Sequence, residues 1–280
     1  MKAFPIPIIG ESPFPAEADE PLQVIVSPGE MPVFRMPSRR APSAPEDERA
    51  AGEIVGRLLE AMRDYRFGGQ DYPRLVLDDL APGCIRVLNE TLGEGEVSAK
   101  LANLAKVQET AFAGIWRILS YGPDGELASD RLEACAIPDL ILEQAQAASS
   151  VEIPPPPAGV MNAPALVLEI VDRTRRHREN GETHVINLTL LPMTPEDLEY
   201  LDAVLGRGIV SLLSRGYGNC RITATNLERV WWVQYFNASD NLILNTLEIT
   251  GVPEVALAAP EDIADSIERL ADCLRAMQEG

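Results

Sequence analysis

The residues best suited to chemistry are four cysteines and two histidines. Cys84, Cys135, Cys220 and Cys273 are separated by 51, 85 and 53 residues, so no pair has the short spacing of a zinc clip, a redox motif or a cluster-binding loop. Cys220 stands apart because it sits in Arg215-Gly216-Tyr217-Gly218-Asn219-Cys220-Arg221, where two glycines flank an aromatic. Three readings are open for it: a nucleophile, a metal ligand or a small core residue. A nucleophilic thiol needs a positioned histidine, and only His177 and His184 exist to serve. Glu94, Glu96, Glu109 and Glu133 offer carboxylates for acid–base work, but among 43 acids such a pairing carries little information. The turns Gly93-Glu94-Gly95 and Gly206-Arg207-Gly208 have the composition of an anion cradle. Both follow predicted helices rather than precede them, so they read as C-terminal caps entering strands. No P-loop, dinucleotide fingerprint or catalytic triad motif occurs in the sequence.

Other residues suit contact rather than catalysis. Arg173, Arg175, Arg176, His177 and Arg178 form the one dense basic cluster, which reads as a solvated helix C-terminus or a dock for an acidic surface. Trp231 and Trp232 are adjacent in a predicted strand and must point to opposite faces. Trp231 reads as core. Trp232 reads as glue between two halves of the chain or as an exposed anchor for a partner. Near the N-terminus, LQVIV (22–26) and MPVF (31–34), with Val33 and Phe34, are apolar patches unusual in a solvating tail. They read as a clasp on the body or a grip on a partner.

The elements that position these residues follow from punctuation and periodicity. Ten of the 23 prolines fall in the first 50 residues, and four more form the run Pro154–Pro157. Proline fixes φ and removes a donor, so 1–48 reads as a disordered or extended leader and 149–163 as a polyproline spacer. Between and after them the chain repeats itself. LGEGEVS (92–98) matches LGRGIVS (205–211) at an offset of 113, with Pro82 on Pro195 and Leu75 on Leu188. Downstream the offset is 115, with Trp116 on Trp231, Glu133 on Glu248 and Pro138 on Pro253. A two-residue insertion near 216–220 accounts for the change, which marks that turn as the place where the second copy differs. The predicted architecture is α+β: a helix–strand–helix–three-strand module in two copies, 49–148 and 164–280. A closing helix runs from Pro260, with Ile263, Ile267, Leu270, Leu274 and Met277 as its stripe. NASDN (237–241) and GPDGE (122–126) read as hairpin turns.

Composition bounds the function. Forty-three acids against 24 bases give a formal charge of −19, which disfavours nucleic acid as a partner. No apolar run is long enough to span a membrane, and the N-terminus is a poor export signal, so a cytoplasmic protein is expected.

The run LGEGEVSAKL…VQETAFAGIWRI, then RGYGNCRIT…VWWVQYFN…LILNTLEITGVPEVALAAPEDIADSIERL, resembles the hydrogenase expression/formation proteins called HupH, HyaF or HoxQ over roughly residues 75–275. The resemblance implies an accessory factor for uptake [NiFe] hydrogenases. It implies a chaperone that holds the iron–sulfur small-subunit precursor before twin-arginine export, alongside a second, thioredoxin-like accessory protein. The family brings no catalytic residues to carry over. The expectation is a non-enzymatic protein with no cofactor, contacting its partner through Gly216, Tyr217, Gly218, Asn219, Cys220, Trp232, Val33 and Phe34. A metal or cluster carrier using Cys220 is the alternative, and an unrecognised hydrolase stands third.

Overall fold

The computed structural model describes residues 43–69, 71–145, 150–216 and 218–279. Helix α1 (Pro45–Asp64) opens with proline in its first turn beside Glu46, Asp47 and Glu48, which suit the positive helix end. It buries Ile54, Val55, Leu58, Leu59 and Met62 along one face. There follow β1 (Arg74–Val76), α2 (Pro82–Leu92), β2 (Val97–Leu101), β3 (Ala105–Glu109), β4 (Ile115–Tyr121), β5 (Leu127–Ala134) and the short α3 (Asp139–Gln144). The second half begins with α4 (Ala163–Asn180) and β6 (His184–Asn187), then a 3-10 turn at Leu188–Leu190 and α5 (Pro195–Leu205). It continues with β7 (Val210–Ser214), β8 (Asn219–Ala224), β9 (Val230–Phe236), β10 (Leu242–Ile249), a second 3-10 turn at Glu254–Ala256 and α6 (Pro260–Glu279).

Each half has four long strands where the sequence predicts three. The stretch 219–236 is two strands, because Thr225–Arg229 reverses the chain. The Thr225 hydroxyl donates to the Leu227 carbonyl and accepts from the Leu227 amide, and Arg229 adopts φ 61°. Thr110 and Phe112 make the same pair of bonds in the first half, and Gly114 takes the positive φ there. The β1 end corrects another expectation. Leu75 pairs with Leu132 while Ile186 pairs with Leu247, so Ile186, not Leu188, occupies the position corresponding to Leu75. Leu188 has passed into the 3-10 turn, where the Asn187 side chain accepts from Thr189 N.

All ten strands join one antiparallel sheet in the order β1-β5-β4-β3-β2-β7-β8-β9-β10-β6. The order reads alike from either edge, and the seam is the β2–β7 pair. Ala99 pairs with Leu212, Val97 with Ser214 and Leu101 with Val210, so the seam is centred on Ala99 and Leu212. One sheet face carries a continuous core across both halves, including Trp116, Ile118, Leu212, Ile222 and Trp231, under α3 and the second 3-10 turn. The other face carries two separate cores: α1, α2 and α6 over the first half, α4 and α5 over the second. Alternation along the strands sets this division, since Ile115 and Trp116 belong to different clusters, as do Val230 and Trp231.

Helix α6 follows the second half in sequence but packs on the first. Ile263 and Leu270 are buried against α1 and its neighbours, with Ile267, Leu274 and Met277 beside them. Gly52 and Gly56 of α1 face Met277 and Leu274 of α6, at positions where a Cβ would make only ordinary van der Waals contact. On α4 the exposed stripe includes Leu168, 64% exposed, and Val171, with no described helix across it. Residues 150–162, with Pro154–Pro157, form neither helix nor strand. Val151 and Val160 pack against the second core, and the Tyr200 hydroxyl donates to the Pro154 carbonyl.

Candidate functional site

The turn joining β7 to β8 bridges Ser214 and Cys220, whereas the corresponding β2–β3 turn bridges Leu101 and Ala105. The second turn is therefore two residues longer, and the change of offset in the sequence falls here. Gly216 and Gly218 are exposed, and Gly218 has φ 107°, open to glycine at little cost. Arg215 N donates to the Glu96 carbonyl, which sets the turn beside the start of β2 in the first half. Asn219 is half-buried at the start of β8. Tyr217, like Val33 and Phe34, lies outside the described residues.

Cys220 lies beneath this turn, only 2% exposed. Burial pushes its thiol up to about 11 despite a hydrogen bond with Tyr235, and the Glu248 carboxylate adds to the rise. A thiolate is the species that attacks or ligates, so this environment favours the core reading of Cys220 and withdraws its side chain from partner contact. Neither histidine completes a nucleophilic pair. His177 Nδ1 is 2.9 Å from the Glu182 carbonyl, and His184 Nε2 is 2.8 Å from Glu169 Oε1. Among the described residues no group of three His, Cys, Asp or Glu side chains is placed to hold a metal ion.

Trp232 is not brought to the turn. It pairs with Thr223 while Cys220 pairs with Tyr235, so the two lie about 10 Å apart along the strands. They also point to opposite faces of the sheet. Trp232 is half-buried against the second core, and its indole donates to Asn245 Oδ1 at 2.6 Å. It therefore braces its own half, in contrast to the expected role as glue between halves.

The anion-cradle reading of the glycine turns meets amides already engaged. Gly95 N donates to the Glu109 carbonyl and Gly208 N to the Ala224 carbonyl, both at 2.7 Å. A Cβ at Gly95 would collide with the Thr110 carbonyl, so close approach of strands explains that glycine. The basic cluster is likewise paired: Arg173 with Glu182, Arg175 and Arg176 with Asp172, and Arg178 with Glu228. Glu109 and Glu133 face each other only across Trp116, which pairs with both, so they share no proton.

Two polar arrangements had no motif to reveal them. Asp197, fully buried, closes a capping box with Thr194 and also accepts from the amides of Met161, Asn162 and Ala163. Burial alone would raise its pKa, but the donated hydrogen bonds outweigh it and hold the carboxyl at about 2. One carboxylate thus caps two helices. The other is at the β1 edge, where Glu133 accepts from Arg131 Nε at 2.7 Å and from the Tyr72 hydroxyl at 3.1 Å. Arg74 reaches the same cluster, 3.9 Å from Glu133 and 2.9 Å from Asp139. Sequence alignment had matched Glu133 with Glu248 but held no sign of which cations stand beside either.

Comparison with known proteins places this architecture. The family profile described as "HupH hydrogenase expression protein, C-terminal conserved region" matches twice, over residues 49–151 and 160–277. The chain is 41% identical to the hydrogenase expression/formation protein HoxQ of Cupriavidus necator over 280 residues, covering 98% of each chain. It is 46% identical to HupH of Rhodobacter capsulatus, covering 69% of each chain. It is 36% identical to the hydrogenase-1 operon protein HyaF of Escherichia coli, covering 66% of each. Two of these names describe hydrogenase expression and formation and the third a hydrogenase operon, and no helix among the described residues is long and apolar enough to cross a membrane. The chain belongs to the HupH/HoxQ/HyaF family of hydrogenase expression/formation accessory proteins.

Proposed function

We propose that this hydrogenase accessory protein acts without catalysis as a cytoplasmic assembly chaperone, holding the iron–sulfur small-subunit precursor before its export. The observation that carries the reading is the similarity to HoxQ along 98% of both chains. The polar and nucleophilic groups described above are engaged in structure, and the surfaces left over suit contact. The proposed contacts are the turn at Gly216–Asn219, the exposed side of Trp232, the uncovered α4 stripe at Leu168 and Val171, and Val33 and Phe34 of the leader. A second, thioredoxin-like accessory protein would share the client. A carrier role through Cys220 has no comparable support, because its thiol is buried and held neutral.

We also infer that the chain arose by internal duplication, with copies at 49–148 and 164–280 and the proline-rich segment 149–163 as spacer. The twofold match of one family profile and the palindromic strand order support this.

The direct test is co-purification from cells that make the small-subunit precursor. The precursor is expected to elute with the protein at low salt, and with less of it when Leu168 and Val171 are both serine. Failure to recover the precursor at low salt would sink the holding role. Loss of hydrogenase maturation in Cys220→Ser, with the fold intact, would revive the carrier.

A further inference from the structure

The two ends of the sheet carry equivalent carboxylates, and the first-half set shows what such a set binds. In the first half, Glu133 on β5 and Asp139, which follows Pro138, hold the guanidinium of Arg74 between them. Arg131, two residues before Glu133, adds a second cation at 2.7 Å. The second half repeats the frame. Glu248 pairs with Trp231 as Glu133 pairs with Trp116. Pro253 has φ −61° and ψ 134°, against −61° and 135° at Pro138, and Glu254 follows it as Asp139 follows Pro138. Both carboxylates are thus kept in place.

The arginines are not. Arg74 pairs with Glu133, and the residue that pairs with Glu248 from the edge strand is Val185. Arg131 is replaced by Thr246, whose hydroxyl lies 3.4 Å from Glu248 Oε1. No ion pair to Glu248 or Glu254 is formed among the described residues. Three basic side chains of this half are committed elsewhere: Arg178 to Glu228, Arg229 against His177, and Arg221 over the Phe236 ring. The place is open, since Glu254 is exposed and Val185 is 57% exposed at the sheet edge. Burial chiefly, and the neighbouring Glu254 carboxylate, hold Glu248 above the usual carboxylate range, the Thr246 hydroxyl opposing them. An arriving cation would relieve that cost.

We propose that Glu248 and Glu254 form a receptor for an arginine side chain presented by a partner protein, filling beside Val185 the place that Arg74 fills in the first half. A guanidinium matches two carboxylates better than an ammonium, because its planar fork can bond both at once. The inference gives the proposed holding role one specific contact, and its test uses no hydrogenase component, so the two can fail separately.

The probe is a fluorescein-labelled peptide with two adjacent arginines in a serine, glycine and leucine background, titrated with the full chain at low salt and read by anisotropy. A control peptide carries citrulline at both positions. The arginine peptide is expected to bind at least 10-fold more tightly than the citrulline peptide. Its affinity should fall about 10-fold in E248Q/E254Q. Val185→Arg, which supplies the guanidinium from within, should weaken the peptide by a similar factor and raise the melting temperature. Equal binding of the two peptides, or undiminished binding to E248Q/E254Q, overturns the receptor. Unchanged affinity in Val185→Arg overturns the placement beside β6. Free arginine amide competing as well at the same concentration as the unlabelled peptide overturns recognition of a partner chain.

Discussion

At the β1 edge of the sheet Glu133 and Asp139 close on Arg74 and Arg131, whereas at the β6 edge Glu248 and Glu254 stand beside Val185 and Thr246. The helical layers differ in the same sense. Helix α1 is covered by α6, while the matching stripe of α4 shows Leu168 and Val171 to solvent. Even the paired tryptophans diverge: Trp116 Nε1 donates to the Cys135 carbonyl at 2.9 Å, and Trp231 Nε1 is buried with no partner among the described residues. At these positions the first half has its charges paired and its apolar face covered, the latter by α6 lent from the second half, while the second half leaves both kinds open among the described residues. One framework used twice can divide labour in this way, one half supplying stability and the other supplying surface.

That comparison breaks or sharpens under substitution. The largest expected effect is on the α6 contact: Leu270→Ala removes a fully buried side chain and should cost about 3–4 kcal/mol in urea unfolding. Leu168→Ser on the corresponding uncovered stripe should stay within about 0.5 kcal/mol. Equal losses would mean α4 is covered after all. Next, making the first half resemble the second with Arg74→Val and Arg131→Thr strands the buried Glu133. We expect a loss of about 2–3 kcal/mol, discounted because both arginines are partly exposed. Glu248→Gln should leave stability nearly unchanged or slightly raise it.

Smaller effects test the caps and the indoles. Asp197→Ala should cost about 1–2 kcal/mol, since Asp197 caps α5 and anchors the start of α4. Its pH dependence has a definite sign. The folded pKa of about 2 lies below the ordinary 3.8, so the contribution is complete above that value and is lost as pH falls from about 4 towards 2. The wild-type protein should lose more melting temperature across that window than Asp197→Ala does. Cys84, which aligns with Asp197 in the first half, provides no such cap. Last, Trp116→Phe should destabilise more than Trp231→Phe by about 1 kcal/mol, the net worth of one hydrogen bond. Indistinguishable melting curves would remove the indole asymmetry.

Much of the framework was legible because its signals are local. Prolines in first turns, Gly93 and Gly206 at helix ends, and the Asn237 turn all act within a few residues. Gly206 N donates to the Asp202 carbonyl, and Asn237 Oδ1 accepts from Ser239 and Asn241. The turn at Thr225–Arg229, which the sequence suggests only as a bend within one strand, is instructive. Its first-half counterpart has glycine at the positive-φ position, but here arginine stands there, and a hydroxyl bond replaces the usual glycine cue. The candidate surface was less legible. The longer β7–β8 turn was visible in the offset between the two halves, but Trp232 stands apart from it and braces its own half. The receptor carboxylates had only half a signal: Arg131 aligns with Thr246 in sequence, while Val185 meets Glu248 only through the register of β6.

The amino-acid sequence by itself determined the longer helices, the Asn237 turn, the recurring pattern and the family, because capping, turn chemistry and periodicity operate over short stretches of chain. Only the tertiary structure decided that β2 pairs with β7, that α6 crosses to the first half, and that Val185 rather than an arginine stands beside Glu248 on the edge strand. Those outcomes depend on partners far apart along the chain, chosen by cross-strand register and by which apolar face remains to be covered.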